Sequence, residues 1–316
     1  MRSFMSFLGA LPARFRRERV LIVGCGDVGS RAAREMGGGR RVRLIALTSS
    51  ENRRAALRAK GITPLLGNLD DRASLGRLAG VASRVLYLAP PPNQAGATDD
   101  PRARAVVAAL MQRSGPVALV YGSTTGVYGD RQGAWVDELT PTLPQSERAA
   151  RRVDAEVSVH GLGRVKGVRT TVLRIPGIYA LDREGGTPQG RLARGTPVLA
   201  AREDVYTNHI HADDLARACV WALWRGKPQR NLNVCDDTTM KMGDYFDLAA
   251  DLFGMPRPPR VSMAEAETRL SPQLLSFMRE SRRIRNRRMK EELRLVLRYP
   301  TVKEGLRASG SEGLSG

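Results

Sequence analysis

Histidine is scarce: the 316 residues hold three. That excludes a histidine-rich metal site, and no metal is expected. Cysteine is as sparse, and Cys25, Cys219 and Cys235 are scattered. The spacing excludes a disulfide framework and a paired-cysteine metal motif, and it suits a reducing compartment. No apolar run approaches the length of a membrane span. Residues 1–12 are mildly apolar, but the basic cluster Arg14, Arg16 and Arg17 follows that stretch instead of preceding it. This is the wrong order for a secretory signal. A cytoplasmic protein is expected, with residues 1–18 as a loose extension. Lysine is rare too, occurring only at 60, 166, 227, 241, 290 and 303, so the net charge of +19 is almost all arginine. Aromatic residues make up 5% of the chain and none interleave with the basic runs. A stacking platform for single strands needs that interleaving, and charge alone supports only non-specific contact. Specific nucleic-acid binding is not expected.

What is present is a globular composition, 42% hydrophobic and 26% charged, long enough to bury a full core. The organising stretch is 19–29, a short apolar run ending in Gly24-Cys25-Gly26-Asp27-Val28-Gly29. Strand, glycine turn and helix in this order suit a dinucleotide pyrophosphate. Gly24 allows the tight turn, Gly26 lets the backbone approach the phosphates, and Gly29 lets helix and strand pack closely. The helix N-terminus that follows, reached through Asp27 and Val28 of the cofactor-binding turn, offers amide donors and a positive dipole end.

Alternation then continues. Strands are expected at 42–48, 63–67, 84–89, 116–121 and 168–175, and helices at 30–36, 51–60, 71–79, 101–113 and 146–160. The near-continuous apolar strands suit a parallel sheet covered on both faces. The fold class is α/β, a doubly wound parallel sheet (Rossmann), with right-handed crossovers. Residues 122–145 read as a loop. Beyond Pro176 the pattern loosens: strands at 205–210 and 231–235, helices at 213–224 and 242–253, extended chain at 257–261, and a basic, mostly helical end over 264–297. In that end Ile284, Leu293 and Leu297 are expected to pack inward. The division expected is a dinucleotide-binding domain over 19–175, a smaller substrate-side region over 176–308 interleaved with the last strands, and a disordered tail over 309–316.

The tip of the second strand selects the cofactor. A carboxylate there would hold the ribose 2′-OH of NAD. Here the strand ends Thr48-Ser49-Ser50, followed by Glu51-Asn52-Arg53-Arg54. Thr48, Ser49 and Arg53 suit a 2′-phosphate, so NADP is favoured and NAD is the alternative. The same residues would also serve as an ordinary solvated helix start.

Several segments in order carry a resemblance. Gly67-Asn68-Leu69-Asp70, Tyr121-Gly122-Ser123-Thr124-Thr125-Gly126-Val127-Tyr128-Gly129-Asp130, Leu173-Arg174-Ile175-Pro176-Gly177-Ile178-Tyr179 and Ile210-His211-Ala212-Asp213-Asp214-Leu215-Ala216 resemble those of the extended short-chain dehydrogenase/reductase family. Tyr299-Pro300-Thr301 resembles its C-terminal closure. The likeness is to an atypical branch, NAD-dependent epimerase/dehydratase-like. It implies an NAD(P)-dependent oxidoreductase or epimerase/dehydratase-like enzyme acting on a small-molecule substrate, anionic or a nucleotide-sugar, in a chain that could form a homodimer. It also implies that Asn68, Leu69, Ala89, Pro90 and Pro176 line the cofactor cleft. Asp213 and Asp214 read as caps of the following helix.

One departure stands out. The family's Tyr-x-x-x-Lys pair falls on Arg148 and Arg152. Tyrosine moves the substrate proton and lysine tunes it and holds the ribose. Arginine stays protonated and cannot move a proton near neutral pH. The i, i+4 spacing keeps both guanidinium groups on one helix face. Thr124 corresponds to the Ser/Thr that bonds the reacting oxygen, and Tyr128 is the nearest phenol that could donate a proton. The alternative is a non-catalytic dinucleotide-binding sensor or scaffold.

Overall fold

A computed structural model describes residues 17–37, 42–183 and 185–307. The expected tail and residues 1–16 of the expected N-terminal extension lie outside them. Glu18, the last residue of that extension, is held by the Arg84 guanidinium at 2.6 and 3.0 Å.

The chain opens with β1 (Arg19–Val23), α1 (Asp27–Glu35), β2 (Arg43–Thr48), α2 (Arg53–Ala59), β3 (Ile62–Leu66), β4 (Arg84–Tyr87), α3 (Pro101–Met111) and β5 (Ala118–Thr124). Its middle holds β6 (Trp135–Val136), α4 (Glu147–Lys166), β7 (Arg169–Ile175), β8 (Gly177–Tyr179), α5 (Gln189–Ala193), β9 (Val198–Leu199), β10 (Tyr206–Thr207), β11 (His209–His211), α6 (Ala212–Arg225) and β12 (Arg230–Asn233). It closes with β13 (Met240–Lys241), α7 (Met242–Phe253), β14 (Arg260–Val261), α8 (Met263–Arg269), α9 (Pro272–Met278), β15 (Arg283–Ile284), α10 (Arg287–Leu293) and α11 (Val302–Arg307).

Seven strands form one parallel sheet in the order β3-β2-β1-β4-β5-β7-β12. Successive residues of a strand face opposite sides. Val20, Ile22, Leu44, Leu86 and Leu173 therefore pack toward α1 and α6, while Leu21, Val23, Ile45, Leu119 and Tyr121 pack toward α3 and α4. Each such fully buried aliphatic side chain stabilises the fold by roughly 1.5–3 kcal/mol relative to exposure. Covering both faces explains why the strands read as continuous apolar runs. A third cluster, including Tyr179, Leu199, Phe246 and Leu306, sits under the chain beyond Pro176.

The helices begin where polar caps allow. Asp100 accepts from the Ala103 amide and Pro101 follows it, starting α3. Ser146 accepts from the Ala149 amide, starting α4. That helix runs past the expected end at His160, and Gly163 inside it is an interior packing position: a Cβ there would meet the Val168 carbonyl oxygen at 2.9 Å. It stops at Gly167, with φ of 68°. Two-residue strands account for most other differences. β6 lies inside the expected loop and pairs with β15, which divides the expected helical end. The expected strand over 205–210 is split into β10 and β11 at Asn208, whose amide bonds Arg282 and Ile284 of the chain before and within β15. Ile284, Leu293 and Leu297 do pack inward.

Candidate active site: a dinucleotide cleft and an arginine-lined cavity

In a parallel sheet of this order the crevice opens at the carboxyl ends of β1 and β4, where the strand order reverses. Three glycines shape it in three different ways. Gly24 has φ of +92°, and a Cβ there would come within 2.4 Å of the Ala89 nitrogen. This is the point where the chains leaving β1 and β4 touch: the Leu88 and Ala89 amides both donate to the Val23 carbonyl, at 2.7 and 3.1 Å. A Cβ on Gly29 would collide with the Gly24 carbonyl oxygen at 2.8 Å, so Gly29 permits the close crossing of α1 over β1. A Cβ on Gly26 meets nothing within 4 Å. The space above it is open, and no side chain caps the N-terminus of α1. Exposed amides at a helix start beside open space fit a diphosphate.

The rim of this turn is charged. Asp27, in the first turn of α1, accepts from Arg31 at 3.0 Å and from Arg183 at 2.9 Å. Arg31 is buried and reaches two more carboxylates, Asp182 and Asp213, both at 2.6 Å. Burial disfavours its charge, but the hydrogen bonds to Asp182, Asp213 and Asp27 outweigh that and raise its pKa. This cluster ties α1, the chain after β8 and α6 together at the mouth of the cleft. Asp213 and Asp214 are not the caps of α6. His211 caps it, accepting the Asp213 amide on Nδ1 at 3.2 Å. Asp214 is buried and accepts the Arg298 and Tyr299 amides, both at 2.9 Å, which fastens the C-terminal segment.

At the β2 tip, Thr48 is buried and its hydroxyl is engaged with the backbone of Ser50 at 3.2 and 3.3 Å, while Ser49 is exposed. Arg53 donates to the Cys25 carbonyl at 2.6 Å, which holds its guanidinium beside the glycine turn. Among the described residues no carboxylate pairs with it, and Glu51 is taken by Arg54 at 2.7 Å. Beyond β3, Asn68 is exposed and Leu69 packs against the core. Asp70 binds Arg102 through two 2.6 Å contacts, and Arg102 also reaches the Pro90 carbonyl at 3.3 Å. This joins the chains leaving β3 and β4. Ala89 is buried and Pro90 exposed at that edge.

Next to the turn lies a cavity of about 660 Å³ lined by Val28, Thr124, Arg148, Arg152, Pro176 and Gly177 among others. Three of the residues expected to work near a substrate, Thr124, Arg148 and Arg152, thus meet at one surface with Val28 and Pro176 of the expected cofactor cleft. Thr124 caps a short 3₁₀ turn, accepting the Gly126 amide at 3.2 Å. A hydroxyl that accepts in this way still has its own proton to donate. Arg152 donates to the Tyr121 phenol at 3.0 Å and to the Gly122 carbonyl at 2.7 Å. Burial pushes the Tyr121 phenol up to about 12, opposed by the Arg152 guanidinium. Arg148 lies 4.6 Å over the Phe277 ring. Loss of water lowers its pKa, and Arg152, Arg151 and Arg282 add to this while Glu280 opposes it.

Tyr128 does not fit the role of proton donor. It is fully buried, is not among the residues lining the cavity, and gives its hydroxyl proton to Asn233 Oδ1 at 2.8 Å. Its ring lies under the Arg174 guanidinium at 4.8 Å. Arg174 in turn pairs with Glu156, which also accepts the Ser123 hydroxyl. Tyr128 therefore belongs to a buried network bracing β5, α4 and β7. The motif placed it correctly in sequence but could not show which way the 3₁₀ turn aims its ring.

Sequence reasoning missed Arg183, Arg191, His209 and Arg282, which also line the cavity. The only hint was that the chain after Gly177 and the basic end lie on the substrate side. His209 is buried, and burial drives its pKa down to about 3. Among the described residues no group of acids, histidines and cysteines could hold a metal, and no helix is long and apolar enough to cross a membrane.

Residues 20–235 match the NAD dependent epimerase/dehydratase family. The chain belongs to this family. A UDP-glucose 4-epimerase from Azospirillum brasilense is 30% identical over 132 residues, 35% of this chain and 38% of that relative's length. A structure of a functionally unknown conserved protein from Silicibacter pomeroyi superposes with a TM-score of 0.75 at 31% identity, covering 93% of this chain and 99% of the other. The dTDP-glucose 4,6-dehydratase of Streptomyces venezuelae, solved with NAD and TYD bound, gives 0.74 at 18% identity, covering 92% and 95%. At that identity the likeness is one of fold. The doubly wound sheet of these epimerase/dehydratase structures is thus reproduced here.

Proposed function

We propose that this chain is an NADP-using oxidoreductase or epimerase/dehydratase-like enzyme with an altered catalytic set, acting on an anionic small molecule or a nucleotide-sugar. The observation that carries the reading is the juxtaposition of the open Gly26 turn with a cavity that presents Thr124, Arg148 and Arg152 together. The α1 amides would hold the diphosphate, and Arg53 the 2′-phosphate, which makes NADP the favoured cofactor over NAD. Bound there, a nicotinamide supplies hydride chemistry. Thr124 would donate to the reacting oxygen, and the Arg152 guanidinium would stabilise negative charge developing on it. Neither Arg148 nor Arg152 releases a proton near neutral pH, so the proton comes from water or from the substrate.

The absence of a titratable group at the tyrosine position favours a second reading, a dinucleotide-binding protein without turnover. Calorimetry with NADP and NAD, followed by NADPH oxidation over a panel of carbonyl compounds and nucleotide-sugars, separates the two. Turnover that falls by two orders of magnitude in Thr124→Ala supports the enzyme. Tight NADP binding with no turnover on any substrate supports the binder.

A further inference from the structure

Among the described residues, two guanidinium groups of the cavity lining have no hydrogen-bond or ion-pair partner. Arg191, on α5, keeps Nε and one terminal nitrogen buried without a hydrogen bond, and it lies 4.2 Å over the Phe246 ring. Arg148, on α4, makes no ion pair among the described residues and rests on Phe277. The acid at this surface, Glu280, is already taken by Arg282 at 2.7 Å. The cavity therefore carries one buried guanidinium without a counter-charge, Arg191, and one exposed guanidinium, Arg148, each set against an aromatic face. A buried donor without a partner is destabilising, by an amount comparable to a lost hydrogen bond or more when charged. Burial pushes the Arg191 pKa down to about 10, and the neighbouring Arg194 adds to it. The group nevertheless stays charged at neutral pH, so the imbalance persists until an anion arrives.

We propose that Arg191 and Arg148 are the substrate-selecting residues of this cleft, and that the substrate is an oxyanion, a phosphate ester or a carboxylate, bound through these two guanidinium groups. The inference rests on reading the cavity as the substrate end of the site. Planar guanidinium forks bind phosphate and carboxylate oxygens in pairs, and a ring behind each fork holds it in place before the ligand comes. A neutral sugar or an uncharged carbonyl compound leaves the charge uncompensated and binds poorly.

The test is a titration of the full-length protein at fixed ionic strength, with and without saturating NADP. The probes are citrate, glucose 6-phosphate, UDP-glucose and neutral glucose. At least one anion is expected to bind while glucose does not. Its affinity is expected to fall about 10- to 100-fold in Arg191→Gln and in Arg148→Gln. Arg191→Lys, which keeps the charge without the fork, is expected to fall less. Arg257→Gln, which removes an exposed arginine paired with Asp251 and outside the cavity lining, serves as the charge control and is expected to change nothing. Which anion binds separates carboxylate from phosphate ester and diphosphate. The proposal is overturned if no anion binds in either state, or if binding is unchanged in both glutamine variants or falls equally in the control. A chain that ignores NADP but loses anion binding in the variants overturns the cofactor assignment and upholds this one.

Discussion

Single residues in the glycine turn divide stability from binding. At Gly24 both the positive φ and the contact with Ala89 forbid a side chain. Gly24→Ala is expected to lower stability by about 1–3 kcal/mol, read from denaturant melts. At Gly26 the backbone φ is −83° and a Cβ meets nothing within 4 Å. Gly26→Ala is therefore expected to melt like the parent, within roughly 0.5 kcal/mol, while its affinity for the dinucleotide falls at least tenfold. Equal damage to stability in the two variants would contradict these assignments. The tight turn at Gly24 was legible from the spacing alone, because a turn of this tightness leaves few other residues possible. The hydroxyl of Thr124 and the arginine pair were legible as positions but not as contacts. Tyr128 was misread, since nothing in a motif reports the direction of a ring.

Among elements, α4 is the one that brings the site together. It carries Arg148 and Arg152 into the cavity and, one turn further on, Glu156 into the core. Glu156 meets Arg174 of β7 at 2.7 Å and the Ser123 hydroxyl of β5, all of them buried. Removing one partner of such a pair leaves a charge without compensation. Glu156→Ala is expected to cost about 3–5 kcal/mol in chemical denaturation. A loss under 1 kcal/mol would show that water reaches this site and that the network does not brace the helix. The start of α4 was legible from Ser146, but its end was not. The helix was expected to end at His160, and only the approach of the strand that follows shows why Gly163 lies inside it. The two-residue strands β6 and β15 were illegible for a related reason. Their pairing joins residues about 150 positions apart in sequence, and two residues carry no periodicity.

At the scale of the whole molecule, pH acts through a buried carboxyl in the chain that leaves β12. Burial pushes Asp236 up to about 8, its Oδ1 accepts the Thr238 amide, and Oδ2 has no partner. Asp237 and Asp214 nearby raise it further. The folded state thus holds this proton more tightly than the unfolded state, whose aspartates titrate near 3.9. Its contribution to stability is complete below about pH 4, declines as pH rises and is lost by about pH 8. Asp236→Asn is expected to flatten the stability profile between pH 5 and 8 and to be more stable than the parent at pH 8. A variant with the parent's slope would show that Asp236 is ionised in the fold.

The doubly wound sheet and its cleft were legible throughout the first 175 residues, where alternation is long and apolar. The substrate side was legible only as a location, since short helices and scattered arginines acquire meaning through contacts that no spacing encodes. Calorimetry of the purified chain with NADP and NAD tests the central claim most directly, namely that the amides beside Gly26 hold a dinucleotide diphosphate. The expected result is binding of NADP more tightly than NAD, with the preference lost in Arg53→Gln. No heat of binding with either dinucleotide would contradict the account.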